Sequence, residues 1–230
     1  MISSSSRLAD VINQTPCILS VIDRLNIRLG FHDATIRDIC NRYGFSVELL
    51  TSIFNIYAHN GYEPQIDALS KQDILKLVKY LQTSHRYYSK KSFPKLHRKI
   101  HLLLKKGDAS NAQILHKFYD DYSEELAHHF LFEETTVFPY VKRLLSNTVK
   151  VESRFDIYSF AQNHTNIEEK LSDLKNILLK YLPEDYPSAL RIALLNNIYA
   201  IEQDLARHTI IEDKMLIPAI IRLETISGRK

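Results

Sequence analysis

The 230-residue sequence contains no tryptophan, five glycines, seven prolines and two cysteines. So few glycines and prolines argue against the many tight turns that a sandwich or barrel of short strands requires. Cys17 and Cys40 stand apart and form no C-x-x-C motif, which excludes a disulfide framework and a thiolate redox or metal motif. The sequence contains instead long segments that are rich in helix-forming residues. These absences predict an all-α protein of a reducing compartment, the cytoplasm.

Long uncharged hydrophobic runs are missing as well. Charged residues interrupt the first 30 positions, and no later run reaches the length of a membrane span. We therefore expect a soluble protein with no membrane partner. The net charge of +3 comes from scattered Lys and Arg residues and from one modest basic cluster. We interpret this cluster as a solvated helix face, and a surface that binds an acidic partner or a nucleic acid is the alternative. The cluster consists of Lys90, Lys91, Lys95, Arg98, Lys99, Lys105 and Lys106.

The domain organisation follows from one turn-rich stretch, residues 60–64, which interrupts the apolar pattern. It predicts a small helical accessory domain over residues 1–65 and a larger domain over residues 66–230. Four long helical stretches are expected in the larger domain, and their short connections predict an antiparallel four-helix bundle. The stretches are 68–105, 109–145, 152–181 and 187–223, and Pro94, Pro139 and Pro218 should kink or end three of them locally.

An internal repeat lies in the larger domain. Residues 129–139 align with residues 208–218, and both read H-x3-E-[ED]-x3-[FI]-P at an offset of 79 residues. The same offset relates His85 to His164. Because three residues of metal-ligand type recur at one offset, we interpret the chain as two copies of one helical hairpin.

Helical geometry gives this repeat a chemical meaning. Residues four apart lie on one face of a helix, so His129 pairs with Glu133 and His208 pairs with Glu212. Each of the four helices is expected to direct a histidine inward from an apolar stripe. The stripes comprise Ile74, Val78, Leu81, Tyr88 and Leu96; Leu115, Phe118, Tyr122, Leu126, Val137 and Tyr140; Ile157, Phe160, Ile167, Leu171 and Leu174; and Leu194, Ile198, Ile201, Leu205, Met215 and Ala219.

Carboxylates in an apolar bundle need a compensating charge, which a metal cation provides. Two imidazoles for each of two ions, with two carboxylates able to bridge, suit iron or manganese. The alternative is a set of core histidines paired with glutamates and no metal. The predicted ligands are His85, His129, Glu133, His164, His208 and Glu212.

The order H, H-x3-E, H, H-x3-E over these residues resembles the hemerythrin-like HHE cation-binding fold, and most closely the repair-of-iron-centres (RIC) di-iron proteins. That resemblance implies two non-haem irons, bridged by oxo and carboxylate groups, with manganese as an alternative metal. It implies repair of damaged or apo iron–sulfur proteins in nitrosative or oxidative stress, by iron donation or by chemistry on nitric oxide or oxygen. A hemerythrin-type module that binds or senses these gases, and a di-iron nitric oxide reductase or peroxidase, are the alternatives. A homodimer is compatible with each.

The chain departs from the RIC pattern near its beginning. Many RIC proteins carry an adjacent cysteine pair in the accessory domain, whereas Cys17 and Cys40 are separated here. This argues against cysteine-dependent iron delivery.

Several further residues have two interpretations. Glu168 lies four residues after His164 and is either a seventh ligand or a helix-surface residue. Tyr88 is either a core aromatic or a hydrogen-bonding residue next to the metal ligands. His97 and His101 form another pair at helical spacing, expected at the surface or between domains.

Two predicted helices of the accessory domain resemble a helix-turn-helix in outline. One covers 35–43 and ends at Gly44, and the other runs from Ser46 to about Ala58. The second contains no Lys or Arg for phosphate or base contacts, which argues against nucleic-acid binding.

Overall fold

Helices form nearly all of the regular structure in the computed structural model, which describes residues 1–105, 109–146, 157, 160, 167–182, 184 and 186–226. Within those ranges there is no β-strand, and a single isolated bridge pairs Arg7 with Thr35. The predicted all-α class is confirmed. No helix of the described ranges combines the length and the apolar character that a bilayer crossing requires.

Four short helices come first: α1 (Leu8–Gln14), α2 (Ile18–Arg24), α3 (Ile36–Tyr43) and α4 (Val47–Ala58). Helix α3 begins with a reciprocal capping box between Thr35 and Asp38, and it ends at Gly44, whose φ of 71° is left-handed. The Ser46 side chain accepts the Leu49 N–H and so caps α4. Both predicted helices of this region are confirmed to within a residue or two.

The remaining helices correspond to the four predicted stretches and cover three of them almost completely. After a 3₁₀ turn at Ile66–Ala68, they are α5 (Lys71–Tyr87), α6 (Phe93–Leu104), α7 (Ala109–Phe132), α8 (Phe138–Leu145), α9 (Ile167–Asn176), α10 (Ser188–Ile211) and α11 (Ile217–Ile226). Much of the third predicted stretch, 152–181, lies outside the described residues.

Within the described residues, four π-helical segments interrupt or end these helices: Tyr88–Ser92, Glu133–Val137, Ile177–Tyr181 and Glu212–Leu216. Each ends two residues before a proline in the sequence. Proline lacks an N–H and its ring collides with the carbonyl four residues earlier, so a widened turn lets the chain continue in helical form at Pro94, Pro139 and Pro218. The predicted local disturbance at the prolines takes this form. Two of the segments begin at predicted ligands, Glu133 and Glu212.

The chain divides into two compact units, each built from segments that are distant in the sequence. Unit 1 comprises Met1–Ser84, Phe138–Ile157 and Arg207–Lys230, and unit 2 comprises His85–Val137 and Tyr158–Ala206. The predicted accessory-domain boundary at residue 65 stays a prediction.

Unit 1 contains the four short helices α1 to α4 together with parts of the helices that follow them. The hydroxyls of Tyr57 in α4 and Tyr80 in α5 lie 3.1 Å apart, and Arg24 donates to Tyr57 at 3.2 Å. Arg222 in α11 donates to the carbonyls of Ile66 and Leu69 at 2.7 and 2.9 Å, which ties the 3₁₀ turn to that helix. These polar contacts link α5 to α4, and the 3₁₀ turn before α5 to α11.

Unit 2 has an apolar core supplied by α6, α7, α9 and α10. Tyr119 donates to the carbonyl of Phe93, and Lys99 donates to that of Ala193, at 2.9 and 3.0 Å. The predicted inward stripes are buried wherever their side chains are described, with one error: Phe118 is 40% exposed. Tyr119 takes its place because it lies nearer the centre of the stripe that Leu115 begins.

Candidate metal centre

The histidine near the end of α5 lies between two carboxylates. His85 is buried, and its Nε2 lies 3.1 Å from Oε2 of Glu133 while its Nδ1 lies 3.1 Å from Oε1 of Glu134. The Phe130 ring stacks on the imidazole with centroids 4.1 Å apart. Contacts on two ring atoms and one ring face hold this side chain in a defined orientation.

The first H-x3-E pair meets His85 at the end of α7. Glu133 has no solvent exposure, and its other oxygen, Oε1, lies 3.3 Å from Nε2 of His129. The His129 side chain retains 18% exposure. One carboxylate is thus shared by two imidazoles, a geometry suited to a bridging ligand.

The second H-x3-E pair has the same local geometry at the end of α10. Nε2 of His208 lies 3.0 Å from Oε1 of Glu212, and both residues are buried. In both copies the glutamate is the first residue of a π-helical segment. Such segments are frequent at functional sites, where they direct a side chain that a regular α-helix would orient differently.

Four side chains form one cluster of ligand type: His85, Glu133, His208 and Glu212 each place one ligand atom within 4.8 Å of the others, and all four are buried. Two carboxylates removed from water carry a large desolvation cost unless a cation compensates them. Donors around one ion with bonds of about 2.0–2.2 Å lie up to about 4.4 Å apart, close to the span of this cluster. Imidazole and carboxylate donors suit a first-row transition metal. The residues present therefore fit a metal ion.

The other predicted site residues lie in different situations. His129 is outside the cluster of four but contacts Glu133. His164 and the side chain of Glu168 lie outside the described residues, and their ligation stays a prediction. Tyr88 is fully buried in the core of unit 2, where its ring stacks on Phe130 at 5.7 Å, and its role beside the metal ligands stays a prediction.

Sequence reasoning missed Glu134, which contacts the far side of His85. A metal-binding imidazole commonly donates its second N–H to a carboxylate, which fixes the tautomer and raises the basicity of the ligand nitrogen. Donation from Nδ1 of His85 to Glu134 leaves Nε2 as the lone-pair nitrogen, on the side of Glu133. The only signal in the sequence was the second acidic residue in both repeat copies, Glu134 and Asp213.

Comparison with known proteins provides a family assignment for the part of the chain that contains this site. The family model for the hemerythrin HHE cation-binding domain matches residues 76–220, more than half of the chain. A search of the curated proteins finds no match. The matched residues include every predicted ligand, and the all-helical structure is consistent with a bundle of hemerythrin type. The chain belongs to the hemerythrin HHE cation-binding domain family.

Proposed function

We propose that this chain is a non-haem di-iron protein of the RIC type. The observation that carries the proposal is the buried cluster of two imidazoles and two carboxylates within the matched family domain. In the proposal, the iron ligands are His85, His129, Glu133, His164, His208 and Glu212. The repeat supports two ions rather than one, because each copy supplies two histidines and one glutamate.

The residues of the chain would have distinct parts in such a centre. His129 and Glu133 form one two-ligand edge and His208 and Glu212 the other, while Glu134 holds the tautomer of His85. Phe130 covers a face of the His85 ring and limits the approach of water. Bound iron would supply one-electron redox chemistry and a site for diatomic ligands. Manganese accepts the same donor set and is the alternative metal.

The proposed role is repair of damaged or apo iron–sulfur proteins in the cytoplasm during nitrosative or oxidative stress, by iron donation or by chemistry on nitric oxide or oxygen. The two cysteines support donation from the histidine–glutamate centre rather than through a thiol pair, because Cys40 is buried while Cys17 is exposed. An exposed thiol and a buried one do not make an adjacent pair that could carry iron out of the protein.

An iron-transfer assay tests this role. Protein reconstituted anaerobically with ferrous iron is mixed with an apo iron–sulfur acceptor, the two proteins are separated, and the iron bound to each is measured. We expect the acceptor to gain iron in the amount that the chain loses. Iron-loaded Glu124→Gln, altered at an exposed position of α7, is the matched control and should transfer iron as the wild type does.

The other outcomes of this assay separate the alternatives. Retention of iron together with a reversible nitric oxide or oxygen adduct would overturn repair in favour of a gas-binding module. Multiple turnovers of nitric oxide or peroxide with an added reductant would favour a redox enzyme. A chain that takes up no iron would contradict the di-iron assignment itself.

A further inference from the structure

Three histidines outside the candidate metal centre come together in unit 2. His97 and His101 lie on α6, and His116 lies on α7. The ring centroid of His116 is 5.8 Å from that of His97 and 6.1 Å from that of His101. His116 therefore faces both members of a pair that are spaced one helical turn apart.

This spacing is close to that of imidazoles sharing one ion. With zinc–nitrogen bonds of about 2.0–2.1 Å and tetrahedral angles, the centroids of two coordinating rings lie about 5–6 Å apart. Two histidines at i and i+4 on one helix face are a recurrent zinc-binding pair, completed by a third ligand from another element. His97 and His101 are exposed and His116 is half-buried. Their nitrogens do not all lie within 4.8 Å of one another, so side-chain rotations must bring one nitrogen of each ring toward a common point.

We propose that His97, His101 and His116 form a second cation site that links α6 to α7, distinct from the His–Glu centre. Three imidazoles and no carboxylate suit a borderline divalent transition metal ion such as zinc, and disfavour calcium and magnesium, which take oxygen ligands. A fourth coordination position remains for water. The exposed neighbours Arg98 and Lys117 oppose a cation, so the site takes its ion with moderate affinity.

The second site differs from the first in burial and in charge. The cluster that contains Glu133 and Glu212 is buried and anionic, whereas the histidine triad faces solvent and carries no charge of its own when the rings are neutral. The triad is therefore expected to exchange its ion readily with solution. Its ion would join two helices of unit 2 and raise the thermal stability of that unit.

The test uses the full chain already loaded with iron, so that added zinc reports on the remaining sites. Zinc is titrated at pH 8 against a chromophoric indicator, and iron is measured in the same samples to detect displacement. The variants are His97→Gln and His116→Gln. The matched control is His32→Asn, because His32 is exposed with a φ of 53°, a conformation that asparagine accommodates well.

We expect the wild type and His32→Asn to bind one more zinc ion per chain than either Gln variant. Cobalt replaces zinc as a second probe, and its tetrahedral visible absorption should be lost in His116→Gln. Equal zinc stoichiometry in all four proteins would overturn the proposal. Loss of zinc in the control as well as in the Gln variants would overturn it too, and neither result depends on whether iron repair is the function.

Discussion

The substitution Glu212→Gln should stabilise the metal-free protein relative to the wild type and destabilise the metal-loaded protein. Glu212 has no solvent exposure, and one of its oxygens lies within 4.8 Å of a Glu133 oxygen. At an effective dielectric constant of about 20, two unit charges no farther apart than this repel by at least about 3.5 kcal/mol. Gln keeps the shape of the side chain and removes one of these charges.

The imidazoles in the cluster offset part of the repulsion, so we expect a net gain of about 2 kcal/mol for metal-free Glu212→Gln. Both proteins are measured at pH 8. For a chain of this size that gain corresponds to a melting temperature about 4–8 °C higher.

In the iron-loaded state the order should reverse, because Gln is a poorer ligand and the wild type gains more stability from bound metal. Differential scanning calorimetry of both proteins, with and without iron, measures the four melting temperatures. Glu124→Gln, at an exposed position of α7, should change neither state by more than about 0.5 kcal/mol. If Glu212→Gln destabilises the metal-free protein as it does the loaded one, the carboxylate is a structural partner of His208 and our electrostatic reasoning is refuted.

Three further predictions concern other parts of the chain. Glu134→Ala should lower iron affinity about 10–100-fold in a chelator competition, because His85 loses the acceptor of its Nδ1–H. Burial raises the pKa of the Cys40 thiol to about 11, so at pH 8 a thiol reagent should modify only the exposed Cys17 in the folded protein and both thiols after denaturation. Thr35→Ala should cost about 1 kcal/mol by removing the cap of α3, seen as a melting temperature about 2–4 °C lower.

Each of these predictions has a control and a result that would contradict it. Glu124→Ala should bind iron as the wild type does, and unchanged affinity in Glu134→Ala would mean that the contact to His85 has no role in ligation. Two reactive thiols in the folded protein would contradict the burial of Cys40. Thr225→Ala removes a hydroxyl from an exposed helical position and should cost little, so an equal loss in both threonine variants would refute the cap argument.

The helices could be predicted because short-range sequence patterns indicate where they begin and end and which face is buried. The apolar stripes of period 3.6 and the caps at Thr35, Gly44 and Ser46 are properties of neighbouring residues, and the structure follows them closely. The one error in the stripes, Phe118, shows the limit of this reasoning. A residue at the edge of a stripe is buried or exposed according to what packs across from it, which the sequence of one helix does not contain.

The candidate site could be predicted in part for a similar reason. The repeat placed His85, Glu133, His208 and Glu212 on inward faces, and the structure gathers these four. Glu134 was missed because it is the neighbour of a ligand, on another face of a regular helix. The π-helical segments could not be predicted from the sequence either. The prolines indicate a local disturbance of the helix but do not specify how the backbone hydrogen bonds rearrange.

Metal analysis of anaerobically purified protein tests the central claim most directly, combined with visible spectra before and after oxidation. We expect about two irons per chain and an oxo-bridged absorption in the near-ultraviolet. The substitutions Glu133→Ala and Glu212→Ala should abolish that stoichiometry. A chain that binds no transition metal after reconstitution, or one that keeps two tightly bound metals without both glutamates, would contradict the di-iron assignment.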